Sequence, residues 1–187
     1  VHRVISAESW ALCADPNVVD SRGEVAIALD VSPDRSTTTV AAAGWTTDGL
    51  PFVDVIESLR GEPDWALHRV VDLWAEHDVR AVVIDGISAA NSLIDPLPRA
   101  GVTVTVTNAS AMAKACGQLY DAVQARSMRH LDQPALNVAL SVARKRRIGD
   151  GGFGWSRQDS ESDITALVAA TLALWGLTSS EITAKPR

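Results

Sequence analysis

Asp30 is set into the apolar run VAIALDV of Val25–Val31. Aspartate is depleted in strands, and a charge taken out of water is costly unless it is paired or bound to a cation. Two more carboxylates stand at comparable places. Asp85 closes the apolar run AVVID just before Gly86, and Asp163 opens the last apolar-periodic segment. Ligands of open α/β sheets gather beyond the carboxyl ends of parallel strands, where Asp85 should point. If the strands carrying Asp30 and Asp85 are parallel neighbours, their terminal acids come close, and a helix crossing that edge can add Asp163. Such a cluster suits paired divalent ions roughly 4 Å apart, which activate a water and stabilise a leaving oxygen in phosphodiester cleavage. Mg²⁺ and Mn²⁺ prefer carboxylate oxygens, and the sequence has no His/Cys cluster with zinc spacing.

Each acid also has a plain structural reading. Asp85 before Gly86 suits an Asx turn or a helix cap. Asp163 suits a capping box with Ser160, although it shares the Leu167–Ala170–Leu174 face, which is expected to point inward. Asp30 has the weakest such alternative, since no basic residue adjoins it. Asp34, four residues after Asp30 and expected in a turn, and Asp159 and Glu161, which neighbour Asp163, rank second as competing or accessory acids. Asp150, in a glycine-rich turn, is expected to be solvated. The run Arg144-Lys145-Arg146-Arg147 could grip a phosphate backbone or simply cap a solvated helix end. Arg157, before the last helix, could reach a scissile phosphate. His130 could act as ligand or proton shuttle, though a half-buried structural histidine is commoner.

The elements that must position these groups follow from periodicity. Strands are predicted over 24–31, 37–45 and 50–58, with Asp48-Gly49 as a tight turn, and the short links imply an antiparallel meander. A helix opens at Pro63 and runs to about 77 on the Leu67, Val70, Val71 and Trp74 spacing. A strand over 80–85, a short helix over 88–97, a strand over 102–107 and helices over 110–126 and 134–143 follow. A glycine-rich turn or hairpin is expected at 149–155. The last helix is predicted over 160–175, ended by Gly176. Residues 1–22 read as a lead-in arm packed through Trp10, and 178–187 as a frayed tail. The fold class is therefore α/β: a mixed five-stranded sheet, three antiparallel strands and then two parallel ones, with helices on both faces.

The totals fit this reading. A chain of 187 residues suits one full-sized domain. The net charge of −6 argues against a generally basic nucleic-acid binder without excluding a local basic patch. Two distant cysteines, Cys13 and Cys116, suggest a reducing cytoplasm and no disulfide framework. No apolar run approaches a membrane span and no secretory signal is visible. The start at Val1 is expected of a fragment or a processed product.

The segments ALDVSPDRSTTTVAAAG, VVIDG and GWSRQDSESDITALVAATLALWG, in this order and spacing, resemble the C-terminal nuclease domain of tailed-phage large terminase subunits. LYDAVQARSMRHLDQPALNVALSVARKRRIGDGGFGW resembles the middle of that domain, so the likeness covers about residues 20–177. It implies a ribonuclease-H-like fold and a Mg²⁺- or Mn²⁺-dependent endonuclease that cuts concatemeric viral DNA. Asp30, Asp85 and Asp163 match the family's metal-binding acids, and Arg157 stands where relatives often carry a basic residue. The implied partners are double-stranded DNA, the terminase ATPase domain, the small terminase subunit and the portal protein, in the host cytoplasm. The sequence holds no G-x-x-x-x-G-K-[ST] phosphate loop, so the ATPase half is missing and residues 1–22 are expected to be its link. The nuclease domain is placed at 23–177. Two rivals stand beside this reading: another nuclease of the same fold class, of resolvase or transposase type, and a docking module for the portal or the ATPase.

Overall fold

In the computed structural model, residues 3–160 and 162–182 are described. The meander forms as expected. Strands β1 (Val25–Val31), β2 (Thr37–Trp45) and β3 (Pro51–Arg60) pair antiparallel in sequence. Helix α1 (Ala7–Ala11) precedes them, and α2 (Asp64–Glu76) leads into β4 (Val79–Asp85), which runs parallel to β1. A 3-10 turn (Ala89–Leu93) and the short α3 (Pro96–Arg99) connect to β5 (Val104–Thr107), parallel to β4. Helix α4 (Ala109–Gln124) follows.

The sheet has six strands, not the expected five. Residues Arg129–His130 form a two-residue strand, β6, parallel to β3, so the order is β5-β4-β1-β2-β3-β6. Two residues carry no periodicity, and this edge was invisible in the sequence. Helix α5 (Pro134–Val142) leads to a second correction. The basic run is not a helix end: Arg144–Ile148 is strand β7, in a two-stranded hairpin with β8 (Gly152–Ser156). Gly149 and Gly151, both at positive φ, make its turn.

The last helix, α6, spans Thr165–Thr178, starting later and ending later than expected. Every side chain from Thr165 to Leu177 is buried, so it has no polar face to read as a stripe. It packs on β1 to β4 and against α4 and α5. Gly176 lies within this helix and does not end it. A Cβ there would stand 2.8 Å from Val83 Cγ2 and 3.2 Å from the Ala26 Cβ, so the glycine lets the helix lie close on the sheet. A separate core fills the other sheet face, where Val70, Leu73 and Leu97 meet Ile27, Leu29, Val82 and Ile84.

Both ends of the described chain are held. Trp10 is buried and stacked on His130 with centroids 3.8 Å apart. After α6 the chain is not frayed as expected, because Arg80 donates to the Ser179 and Ile182 carbonyls at 2.7 Å each and Ile182 is buried. Residues 183–187 of the predicted tail lie outside the described residues. Among the described residues, no helix is long and apolar enough to cross a membrane.

Candidate active site

Strand register brings Asp30 and Asp85 together. Leu29 of β1 aligns with Ile84 of β4, so the next position on each strand is an aspartate. Asp30 is directly opposite Thr39 of β2, Thr39 is opposite Ser58 of β3, and Asp85 is opposite Thr107 of β5. One polar rung thus crosses five strands: Thr107, Asp85, Asp30, Thr39, Ser58. Directly opposed residues share a face, and residues two positions along a strand share it too. On β1, β4 and β2 those next positions are Ala28, Val83 and Ala41, all packed in the core that contains α6. The rung is therefore the polar margin of that core. The Thr39 and Ser58 hydroxyls hydrogen-bond across it at 2.8 Å.

Asp30 has no exposure at all, and its counter-charge is Arg157. The guanidinium donates from Nη1 to Oδ2 at 2.6 Å and from Nη2 to Oδ1 at 2.5 Å. Burial still wins: it pushes the Asp30 carboxyl up to about 6, Arg157 pulls the other way, and Asp85 and Asp163 push further up. Burial works against the charge of Arg157 too, but Asp30, Asp85 and Asp163 outweigh it and hold the guanidinium above its ordinary value. All three sequence-picked acids thus share one electrostatic neighbourhood centred on Arg157.

Asp85 is buried, and burial raises its carboxyl, opposed by the Ile87 N–H and by Arg157 and Arg146. The Ile87 amide donates to Asp85 Oδ1 at 3.3 Å and Ser88 Oγ to the Asp85 carbonyl at 2.8 Å, so the Asx-turn reading holds as well. Asp163 differs from expectation. It is exposed, precedes α6, and its Oδ1 accepts from the Thr165 N–H at 3.2 Å and from the Thr165 hydroxyl. It does not share the inward face of the helix. Nor does Ser160 complete a capping box: its hydroxyl accepts from the Arg144 N–H and donates to the Ser156 carbonyl.

Two cavities flank the rung. One, of about 310 Å³, is lined by Asp85, Ser88, Arg146, Arg157, Gln158 and Asp159 among others. The second, of about 390 Å³, is lined by Ser58, Asp163 and Val138 among others. Asp85 and Asp163 open into different cavities, with Asp30 between them along the rung. Among the described residues, no group of three or more His, Cys, Asp or Glu side chains stands ready to hold one metal ion. Asp30 and Asp85 nevertheless offer the hard oxygen donors that Mg²⁺ and Mn²⁺ take, and the buried Asp30 charge requires a cation against it. The donor set fits such ions; the guanidinium of Arg157 faces Asp30 in that capacity here.

The remaining candidates separate clearly. Asp34 ties the β1–β2 turn, accepting from Ser32 Oγ, Ser36 N–H and Ser36 Oγ, which hold its carboxyl down at about 2. Asp159 lines the first cavity with Asp85 while accepting from Ser156 Oγ at 2.8 Å. Glu161 lies outside the described residues. His130 is structural: fully buried in β6, its Nε2 is 2.8 Å from the Trp10 carbonyl oxygen and its Nδ1 accepts from the Asp132 N–H at 3.1 Å. Burial lowers its affinity for a proton. Asp150 is solvent-exposed beside Arg147. Sequence reading missed Thr39, Ser58 and Thr107. The first was findable, since positions 30 and 39 are equidistant from the middle of the 32–37 turn and a hairpin must oppose them.

No family model and no curated protein sequence matches this chain. Solved structures do. The HK97 bacteriophage large terminase superposes with a TM-score of 0.77 at 15% identity, over 95% of this chain and 44% of that one. The large terminase nuclease of thermophilic phage G20c gives 0.62 at 13% identity, over 86% and 83%. The chain has the fold of a large terminase nuclease domain. The nuclease domain of the large terminase subunit gp2 of bacterial virus Sf6, solved with manganese, gives 0.62 at 13% identity, over 92% and 98%. The G20c nuclease has also been solved with bound magnesium. In this terminase-nuclease fold, the β1 and β4 ends that carry Asp30 and Asp85 lie at the edge of the core under α6. This chain spans less than half of the HK97 large terminase and nearly all of the Sf6 domain.

Proposed function

We propose that this chain is the metal-dependent endodeoxyribonuclease domain of a phage DNA-packaging large terminase subunit, cutting concatemeric double-stranded DNA. The observation that carries this reading is the adjacency of Asp30 and Asp85 at the ends of neighbouring parallel strands, in a fold shared with terminase nucleases. Asp30 and Asp85 would hold divalent ions, Mg²⁺ or Mn²⁺, with Asp163 from the start of α6. Bound there, two ions supply an activated water and neutralise charge on the scissile phosphate. The chain's own groups do the rest. Burial makes Asp30 require a cation against it, the Ile87 amide fixes the orientation of Asp85, and Arg157 supplies positive charge beside the carboxylates. Contacts to DNA through its backbone give little sequence preference and a strong dependence on salt. In the full motor, the partners are an ATPase domain, a small subunit and a portal, in the host cytoplasm.

The deciding experiment incubates the protein with plasmid and Mn²⁺, beside Asp30→Ala. Cleavage by the wild type and none by the variant is expected; full cleavage by Asp30→Ala rejects the assignment. The Arg157–Asp30 pair favours one rival, a docking module that has kept the fold and replaced ions with an internal cation. Calorimetry separates the two. A nuclease takes up Mn²⁺ in a way that Asp85→Asn abolishes, whereas a docking module shows no specific uptake.

A further inference from the structure

The hairpin β7–β8 stands over the cavity that Asp85 opens into, and its four cations are not equivalent. Alternation along β7 puts Arg144 and Arg146 on one face, Lys145 and Arg147 on the other. Arg147 turns away to the Gly149 carbonyl and Asp150. Lys145 lies over the Phe153 ring, beside a different cavity lined by Tyr120 and Asp121. Arg144 donates to the Val142 and Ala143 carbonyls at 3.3 and 3.1 Å. Arg146 alone of the four lines the cavity shared by Asp85 and Arg157.

Its placement is built. Arg146 is opposite Gly154 of β8, and a Cβ on Gly154 would sit 3.4 Å from Arg146 Cζ and Nη2. The guanidinium therefore lies across the hairpin, over a position with no side chain to lift it. It acts on Asp85 as a positive charge, and on Cys116 beneath the hairpin as well. Among the described residues it makes no ion pair or hydrogen bond. A wall holding an exposed, uncommitted guanidinium (Arg146) and an amide (Gln158) suits an anion with several oxygen acceptors, while the Ser88 and Ser156 hydroxyls already donate to the Asp85 carbonyl and to Asp159. At about 310 Å³ the cavity takes a single nucleotide unit of one strand, not a duplex.

We propose that this cavity is a phosphodiester subsite, in which Arg146 grips a non-scissile phosphate next to the one presented to Asp30 and Asp85. It rests on the nuclease reading above. Arg146 thereby fixes which phosphate reaches the carboxylates, and the other three cations of the run take no part.

The test uses the whole chain and a duplex oligonucleotide, with Arg146→Gln, Arg146→Lys, Arg147→Gln and, as a charge-matched control that does not line the cavity, Arg99→Gln. Binding is followed against salt without divalent ions, cleavage with Mn²⁺, and Mn²⁺ uptake by calorimetry. Arg146→Gln is expected to weaken binding roughly tenfold and to lower the salt slope by about 0.9, the signature of one lost phosphate contact. Mn²⁺ uptake is not weakened, since a positive charge beside Asp85 has been removed, Arg146→Lys restores the slope, and Arg99→Gln matches wild type. Two outcomes overturn the inference while leaving the nuclease standing: Arg146→Gln binding and cutting within twofold of a wild type that cuts, or Arg147→Gln weakening binding equally. A wild type that neither binds nor cuts duplex DNA overturns both.

Discussion

Arg157 and Asp30, 127 residues apart in the chain, form a two-point ion pair with N–O distances of 2.6 and 2.5 Å around a carboxylate that no solvent reaches. The arginine keeps about a fifth of its side chain exposed. Removing one partner of such a pair leaves an uncompensated buried charge, which is worse than removing both. Arg157→Met should destabilise the fold by roughly 3 kcal/mol in EDTA at neutral pH. Arg157→Met/Asp30→Asn should recover most of that loss. Urea denaturation of the two variants, beside Asp30→Asn alone, closes the cycle. Simple additivity would show that the pair is not coupled.

The same burial sets a pH dependence. Asp30 ionises at 3.8 when unperturbed and at about 6 in the fold. Between those values the native state holds more proton than the unfolded chain, so stability falls as pH rises. This contribution is fully present below about pH 4 and lost above about pH 6, a change on the order of 3 kcal/mol. Other carboxylates titrate in this range, so the quantity to measure is the difference in unfolding free energy between wild type and Asp30→Asn. That difference should move against the wild type from pH 4 to 6 and then level off. A flat difference would mean that Asp30 is ionised throughout.

Asp85 and Asp163 should not be equivalent in the cleavage assay. Asp85 is buried on the rung beside Asp30, while Asp163 is exposed and holds Thr165 at the start of α6. Asp85→Asn is expected to lower cleavage at least a hundredfold, since it removes an anionic oxygen from the heart of the site. Asp163→Asn keeps an oxygen able to accept from Thr165, so it should leave the melting temperature within about 2 °C while still reducing Mn²⁺ uptake. Rates, melting curves and calorimetry on the two variants check this. Equal, full activity in both would remove these carboxylates from the chemistry.

These assignments show which parts of the molecule could be read from residues alone. A single aspartate in an apolar strand is a local contradiction that only a tertiary partner resolves, so Asp30 was visible without coordinates. The meander was equally visible, because short turns leave neighbouring strands no other pairing. The partner of Asp30 was not. Arg157 was noted for its place before a helix, but nothing in the spacing of residues 30 and 157 says that they touch. The basic run misled because four consecutive cations have no hydrophobic period. Only the glycines at 149 and 151, at positive φ, reveal the run as one limb of a hairpin. The last helix starts at Thr165, five residues later than the sequence pattern predicts, so Asp163 falls before the helix and not in its first turn. That shift decided whether the acid faced inward or outward.

Gly176 offers the sharpest check of how closely α6 packs on the sheet. A glycine-to-alanine change inside a helix ordinarily gains about 1 kcal/mol from propensity. At Gly176 the new Cβ would be 2.8 Å from Val83 Cγ2 and 3.2 Å from the Ala26 Cβ, both on strands that carry the acids. Overpacking of this kind costs roughly 1–3 kcal/mol and exceeds the gain. Gly117 in α4 is the matched case, because a Cβ there meets nothing within 4 Å. Gly117→Ala should therefore stabilise the fold by up to about 1 kcal/mol, while Gly176→Ala destabilises it by about 1–2 kcal/mol. Opposite signs in urea denaturation support the close helix–sheet approach. If both variants are stabilised, the C-terminal half of α6 stands further off β1 and β4 than these contacts require.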